Sequence, residues 1–167
     1  MRLGLKVVLV FPGTADSAAG GSGNLVLDGL FGADIFWSGE TDPSAMGAVA
    51  EDVCERLRER GAHPYLIPFG GSSALGARGY VEGGDEVRLQ MPDVDHVMVA
   101  LGSGGIMAGL VASLAEKRAL GVHCGAVAHP AEVIAALATE VTGRGVTAES
   151  LRIRRDQVGP AYGALYE

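Results

Sequence analysis

The sequence predicts an α/β protein with a mostly parallel sheet and helices on both of its faces, in three layers. Short apolar runs rich in β-branched residues alternate with segments of helical periodicity throughout the 167 residues. Several of these runs end in glycine, and the chain has 26 glycines. Because a helix between two strands returns the chain to the same end of a sheet, this order favours parallel pairing.

The first part of the chain holds three predicted strands and two predicted helices. Apolar runs predict strands over residues 5–11, 33–37 and 64–69. A helix is predicted from Asn24, its N-cap, to residue 31. A longer helix is predicted over residues 43–60, begun by Pro43 and ended by Gly61.

The rest of the chain repeats the pattern. A helix is predicted from Ala74, although four glycines weaken it. Further helices are predicted from residue 106 and from Pro130, the latter ended by Gly143. Strands are predicted over residues 96–101, 122–127 and 151–154. The inward face of the helix from residue 106 is expected to carry Ile106, Met107, Leu110, Val111 and Leu114.

Composition and charge argue against several classes of function. The formal net charge of −7 disfavours binding to nucleic acid. No apolar run approaches the ~18 residues of a membrane span. The four histidines lack the spacing of a metal site, so no metal ion is expected. Cys54 and Cys124 form no CxxC motif, which favours buried thiols in a reduced, cytoplasmic protein.

The sharpest local motif is the turn Gly102-Ser103-Gly104-Gly105 between a predicted strand and a predicted helix. Glycines let successive backbone N–H groups converge, and a helix N-terminus adds positive potential, so the turn suits a phosphate. Met107 stands where a dinucleotide fingerprint needs glycine, and the lysine of a P-loop is absent. A small phosphorylated cofactor is therefore favoured. The alternative is a tight turn without a ligand.

Two further motifs could belong to the same site. Gly70-Gly71-Ser72-Ser73 follows the strand predicted over residues 64–69. Since ligands bind at the carboxyl ends of parallel strands, both glycine turns are expected at one edge of the sheet. An ordinary turn with hydroxyl caps is the alternative. Tyr162, in Gly159-Pro160-Ala161-Tyr162-Gly163, offers a phenol for hydrogen bonding or acid–base chemistry, unless it packs in the core.

Four segments together resemble one family, the pyridoxal-phosphate-dependent D-cysteine desulfhydrases and 1-aminocyclopropane-1-carboxylate (ACC) deaminases. Residues 67–80 (IPFGGSSALGARGY) resemble its I-P-x-G-G-S-x-x-L-G-A-x-G-Y stretch, and residues 23–28 (GNLVLD) its G-N-x-x-L-D helix start. Residues 102–110 (GSGGIMAGL) resemble its phosphate loop, and residues 158–163 (VGPAYG) its V-G-P-x-Y-G segment. The segments occur in family order, and the resemblance covers essentially the whole chain.

The resemblance implies a type II pyridoxal-phosphate fold, like that of the tryptophan synthase β subunit. A smaller lobe would cover residues 1–67, and a larger lobe residues 68–167. The cofactor would be pyridoxal 5′-phosphate, and Tyr162 would lie near a small amino-acid substrate. The cofactor's phosphate would be held by Gly102, Ser103, Gly104, Gly105 and Ile106, and the substrate loop would comprise Gly71, Ser72 and Ser73. Relatives are usually cytoplasmic homodimers.

The implied reaction is α,β-elimination from D-cysteine, giving pyruvate, ammonia and sulfide. Ring opening of ACC is a neighbouring alternative. A module that only binds a phosphorylated ligand and a structural partner subunit are alternatives of other classes.

Departures from the family pattern limit the expected activity. The resemblance places the family's Schiff-base lysine upstream of the region that matches Met1. The only lysines of this chain, Lys6 and Lys117, do not match that position. Ile106 replaces the usual threonine of the phosphate loop. We therefore expect a partial family sequence that binds the cofactor non-covalently at most and has negligible lyase activity alone.

Overall fold

The structure is a computed structural model that describes residues 4–18, 23–116 and 118–160. The chain divides into two compact units, Met1–Leu66 and Ile67–Glu167. Every strand pair between described residues is parallel, in one sheet of two strands and one of three. The predicted α/β fold with parallel strands is therefore confirmed, with its strands divided between two sheets. No helix of the described ranges is long and apolar enough to cross a membrane.

The first unit contains two strands and two α-helices. Its elements are β1 (Val8–Phe11), α1 (Asn24–Leu30), β2 (Asp34–Trp37) and α2 (Met46–Glu59). The strands pair from Val8 with Asp34 to Phe11 with Trp37. On α2, Val53 and Cys54 are buried, as the helical spacing of apolar residues predicts.

Both helix starts in this unit differ from the prediction. Gly23 is the N-cap of α1, and Asn24 is already helical. Pro43 begins a 3-10 turn, Pro43–Ala45, that leads into α2. The turn is held by the Asp42 carboxylate, which accepts the Ser44 N–H at 2.8 Å. The Ser44 N–H and hydroxyl lower the pKa of Asp42 because they favour its charged form.

The second unit contains three strands and three α-helices. Its elements are α3 (Ala74–Gln90), β3 (Val97–Leu101), α4 (Gly105–Leu114), β4 (Ala119–His123), α5 (Pro130–Thr142) and β5 (Arg152–Arg154). The strand order is β3-β4-β5, so each neighbouring pair is joined through a helix. Gly143, in the left-handed conformation, ends α5 as predicted.

The core of the second unit lies around α4. Four of the five residues predicted on its inward face are buried, whereas Ile106 is 38% exposed. Ile134 from α5 and Leu101 from β3 are almost fully buried beside them. The buried cluster comprises Ala77, Leu101, Met107, Ala108, Leu110, Val111, Leu114, Ala119, Ile134, Ala138 and Val146.

The strand predictions over residues 64–69 and 122–127 are wrong. Residues 64–68 form no strand, and residues 69–71 are a 3-10 turn. Pro64 and Pro68 have no N–H to donate to a ladder, and Tyr65 and Ile67 between them are exposed. The strand predicted over residues 122–127 is β4, three residues earlier. Gly121 interrupts the apolar run by which this strand could be predicted. Because glycine has no side chain, Gly121 leaves room for the Met107 sulfur.

Close packing of α3 on α4 explains why a helix with four glycines is continuous. A Cβ atom at Gly109 of α4 would overlap the Ala77 carbonyl and lie 2.6 Å from the Tyr80 Cβ. A Cβ atom at Gly84 of α3 would lie 2.8 Å from the Ser113 side chain. The Ser113 hydroxyl also donates to Asp85 at 2.6 Å across the two helices. Glycine thus lets the two helix backbones approach, at a cost in helix propensity.

We expect Gly109→Ala to lower the free energy of unfolding by about 2 kcal/mol, because an overpacked contact against a backbone carbonyl has no room to relax. The measurement is urea denaturation followed by circular dichroism.

Gly79→Ala is the matched control, because Gly79 lies on α3 with nothing within 4 Å of its added Cβ. This control is expected to be neutral or to stabilise by up to about 1 kcal/mol through helix propensity. Equal midpoints for the two variants would contradict the close α3–α4 contact.

Candidate functional site

The Gly102–Gly105 turn leaves the carboxyl end of β3 and leads directly into α4, as the sequence predicts. Gly104 is the N-cap of α4, with a φ of 101° that side-chain-bearing residues rarely adopt. Gly104 and Gly105 are buried, while Gly102 and Ser103 are half-buried. The first backbone N–H groups of α4 have no acceptor within the helix, and they lie beside a half-buried loop.

Ser72 brings the second predicted loop into contact with this turn. Its hydroxyl oxygen accepts the Gly105 N–H at 3.0 Å and its hydroxyl donates to the Ser103 oxygen at 2.7 Å. Gly104, which occupies the N-cap position, has no side chain that could cap α4. Ser72 thus caps α4 from a segment more than thirty residues earlier in the chain.

Gly70 makes room for the serine pair. Its φ is 64°, and a Cβ atom there would overlap the Ser103 hydroxyl and lie 2.8 Å from the Ser103 Cβ. A Cβ atom at Gly105 would lie 2.9 Å from the Ser72 hydroxyl. The two glycine turns are in contact. The prediction that both follow strands of one sheet is wrong, because the residues before Gly70 form no strand.

The remaining predicted site residues have different surroundings. Ser73 caps α3 by accepting the Gly76 N–H at 3.1 Å. The Gly71 N–H donates to the Pro68 carbonyl at 2.8 Å within the 3-10 turn. Ile106 offers only an apolar, partly exposed side chain at the start of α4. Tyr162 lies outside the described residues.

Dipoles rather than ionised side chains set the electrostatics of this turn. The residues of the two loops carry hydroxyls and backbone amides and no ionisable group. The start of a helix carries roughly half a positive charge, which favours an anion there. Convergent N–H groups with serine hydroxyls are the donor set that a phosphate accepts. The residues present therefore fit the phosphate of pyridoxal 5′-phosphate.

The hydrogen bond between Ser72 and Gly105 was not predicted from the sequence. The two motifs predict a common edge of the sheet, but they carry no information about the distance between the loops. The available signal was a pair of Gly/Ser turns, each followed at once by a helix whose start needs acceptors.

Glycine-rich turns at the carboxyl ends of parallel strands are typical of a class of α/β proteins that bind phosphorylated ligands. Within that class, the family model described as pyridoxal-phosphate dependent enzyme matches residues 1–164. The chain belongs to this family.

Curated relatives carry two kinds of name. A D-cysteine desulfhydrase from Salmonella schwarzengrund is 34% identical over 97% of this chain and 53% of its own length. A putative ACC deaminase from Pyrococcus furiosus is 37% identical over 74% of this chain and 39% of its own length. A bifunctional D-cysteine desulfhydrase/ACC deaminase from Arabidopsis thaliana is 38% identical over 58% of this chain and 26% of its own length.

A solved structure shares the fold. The crystal structure of an ACC deaminase homologue superposes with a TM-score of 0.77 at 28% identity, over 98% of this chain and 51% of that chain. This chain thus spans about half the length, or less, of the relatives that it matches.

We expect Gly70→Ala to destabilise the protein more than Gly71→Ala. Both glycines have a positive φ, so each substitution strains the backbone by roughly 1–2 kcal/mol. Only at Gly70 does the added Cβ also displace Ser103, because nothing lies within 4 Å at Gly71. Urea denaturation midpoints of the two variants measure the difference.

Ser103→Gly should restore part of the stability lost in Gly70→Ala, since it removes the atoms that the new Cβ meets. The absence of any restoration would show that the contact with Ser103 is not the cause.

Proposed function

We propose that residues 68–167 form the cofactor-phosphate-binding lobe of a pyridoxal-phosphate-dependent lyase that acts on a small amino acid. The observation that carries the proposal is the convergence of the α4 N-terminus with the Ser72 and Ser103 hydroxyls in a chain of this family. Gly102, Ser103, Gly104, Gly105 and Ile106 would surround the cofactor phosphate, with the Ser103 hydroxyl and backbone N–H groups other than that of Gly105 as donors, because the Gly105 N–H donates to Ser72. When bound, the cofactor supplies an electron sink for the α-carbon of the amino acid.

D-Cysteine is the favoured substrate, with pyruvate, ammonia and sulfide as products. It is favoured because D-cysteine desulfhydrases align along nearly the whole chain. ACC is the alternative substrate, since curated relatives aligned over 74% of the chain carry that name, and so does a solved structure that covers 98% of it. Gly71, Ser72 and Ser73 would border the substrate, and Tyr162 would supply a phenol near it.

The remaining assignments follow from the family. Residues 1–67 would form a smaller lobe, and two copies of the whole enzyme would form a homodimer. A cytoplasmic location suits two free cysteines, of which Cys54 is buried.

The position of the lysines favours a second function, which is binding without catalysis. Lys6 is exposed and precedes β1, and Lys117 lies outside the described residues. A lyase of this kind needs a lysine that attaches the cofactor and moves the α-proton.

We expect the 167-residue chain to bind pyridoxine 5′-phosphate saturably. This probe keeps the phosphate and cannot react with a lysine. Two charge-assisted hydrogen bonds to phosphate contribute about 3 kcal/mol, so affinity should exceed that for pyridoxine about 100-fold. Isothermal titration calorimetry measures both dissociation constants. Equal affinity for the two probes, or no binding of either, would overturn the phosphate assignment.

We expect no sulfide above background when the same chain is incubated with pyridoxal 5′-phosphate and D-cysteine. The reason is that neither lysine matches the position of the attaching residue. Sulfide release, together with stoichiometric attachment of the cofactor to one lysine, would contradict binding without catalysis and establish a complete active site.

A further inference from the structure

The hydrogen bonds around Ser72 form a chain. The Gly105 N–H can only donate, so the Ser72 oxygen must accept it at 3.0 Å. The Ser72 oxygen keeps a second lone pair, so the Gly105 bond alone does not set the direction of the 2.7 Å bond between the two hydroxyls. A phosphate beside Ser103 can only accept, so with it bound the order is Gly105 N–H to Ser72, Ser72 O–H to Ser103, and Ser103 O–H to the phosphate.

The end of this chain is the Ser103 hydroxyl hydrogen. Ser103 accepts from Ser72, so its own hydrogen is directed elsewhere. Within residues 4–18, 23–116 and 118–160, no acceptor takes that hydrogen. Ser103 lies half-buried in the turn that leads into α4. The Ser103 hydroxyl can therefore donate to an acceptor that lies outside these residues.

The surroundings keep the two hydroxyls in this arrangement. Any side chain at Gly70 would occupy the place of the Ser103 hydroxyl, and a Cβ atom at Gly105 would press on Ser72 from 2.9 Å. Ser73, the next residue, caps α3 and so fixes the backbone that carries Ser72. Hydrogen bonds in series also polarise one another, which strengthens the final donor.

We propose that Ser72 is a positioning residue that orients the Ser103 hydroxyl hydrogen toward the phosphate of the bound cofactor. This inference rests on the phosphate-binding function proposed above. Ser72 itself does not contact the phosphate; its hydroxyl sets which way Ser103 donates. A phosphate oxygen accepts well from such a donor, whereas the uncharged alcohol of pyridoxine is a weaker acceptor.

The test is a double-mutant cycle on the affinity for pyridoxine 5′-phosphate. Ser72→Ala leaves Ser103 unoriented, so the dissociation constant should rise about tenfold, the worth of one hydrogen bond to a charged group. Ser103→Ala should raise it by a similar factor. Since Ser72 acts through Ser103, Ser72→Ala should have almost no further effect in the Ser103→Ala background.

Ser113→Ala is the control, because it removes a serine hydroxyl that also links α3 to α4 but lies away from the loop. It should leave the dissociation constant unchanged. Ser72→Cys keeps the shape of the side chain and replaces a good donor by a weak one, so it tests the same point if Ser72→Ala fails to fold.

The outcomes separate this inference from the proposed function. Wild-type protein that does not bind the probe would overturn both. Wild-type binding with an unchanged or tighter dissociation constant in Ser72→Ala would overturn only the role of Ser72, and so would losses that simply multiply in the double variant.

Discussion

The close approach of α3 and α4 determines where the Ser72 hydroxyl meets the Gly105 amide. Ser72 lies two residues before α3, and Gly105 is the first residue of α4, so the spacing of the helices sets the length of this bond. A side chain at Gly109 would push the helices apart at the Ala77 carbonyl. Packing in the body of the unit therefore controls the geometry of the loop at its end.

In the proposed function, backbone geometry and neutral donors, rather than positive side chains, would bind the phosphate. The net charge of the chain is −7, so long-range attraction does not draw a phosphate to it. Gly104, in the left-handed conformation, turns the backbone from β3 into the start of α4. Dipoles fixed in this way need little rearrangement when an anion arrives, and this compensates for the missing charge.

Elements with a clear period or a clear cap could be predicted from the sequence, and contacts between distant segments could not. α5 follows from Pro130, its apolar spacing and Gly143, all of which act locally. The predicted position of β4 was three residues too late, because the role of Gly121 depends on Met107 from another element. The bond from Ser72 to Gly105 was missed for the same reason, since no local pattern encodes a distance across 33 positions.

The glycines of α3 also bear on what stabilises this helix. Its four glycines cost about 1 kcal/mol each relative to alanine, so the isolated segment would be largely unstructured in water. The helix therefore depends on its packing against α4, and the same packing brings Ser72 to Gly105. An excised peptide carrying only the GSGG motif would lack the partner that orients Ser103, so the proposed phosphate binding would require the folded unit.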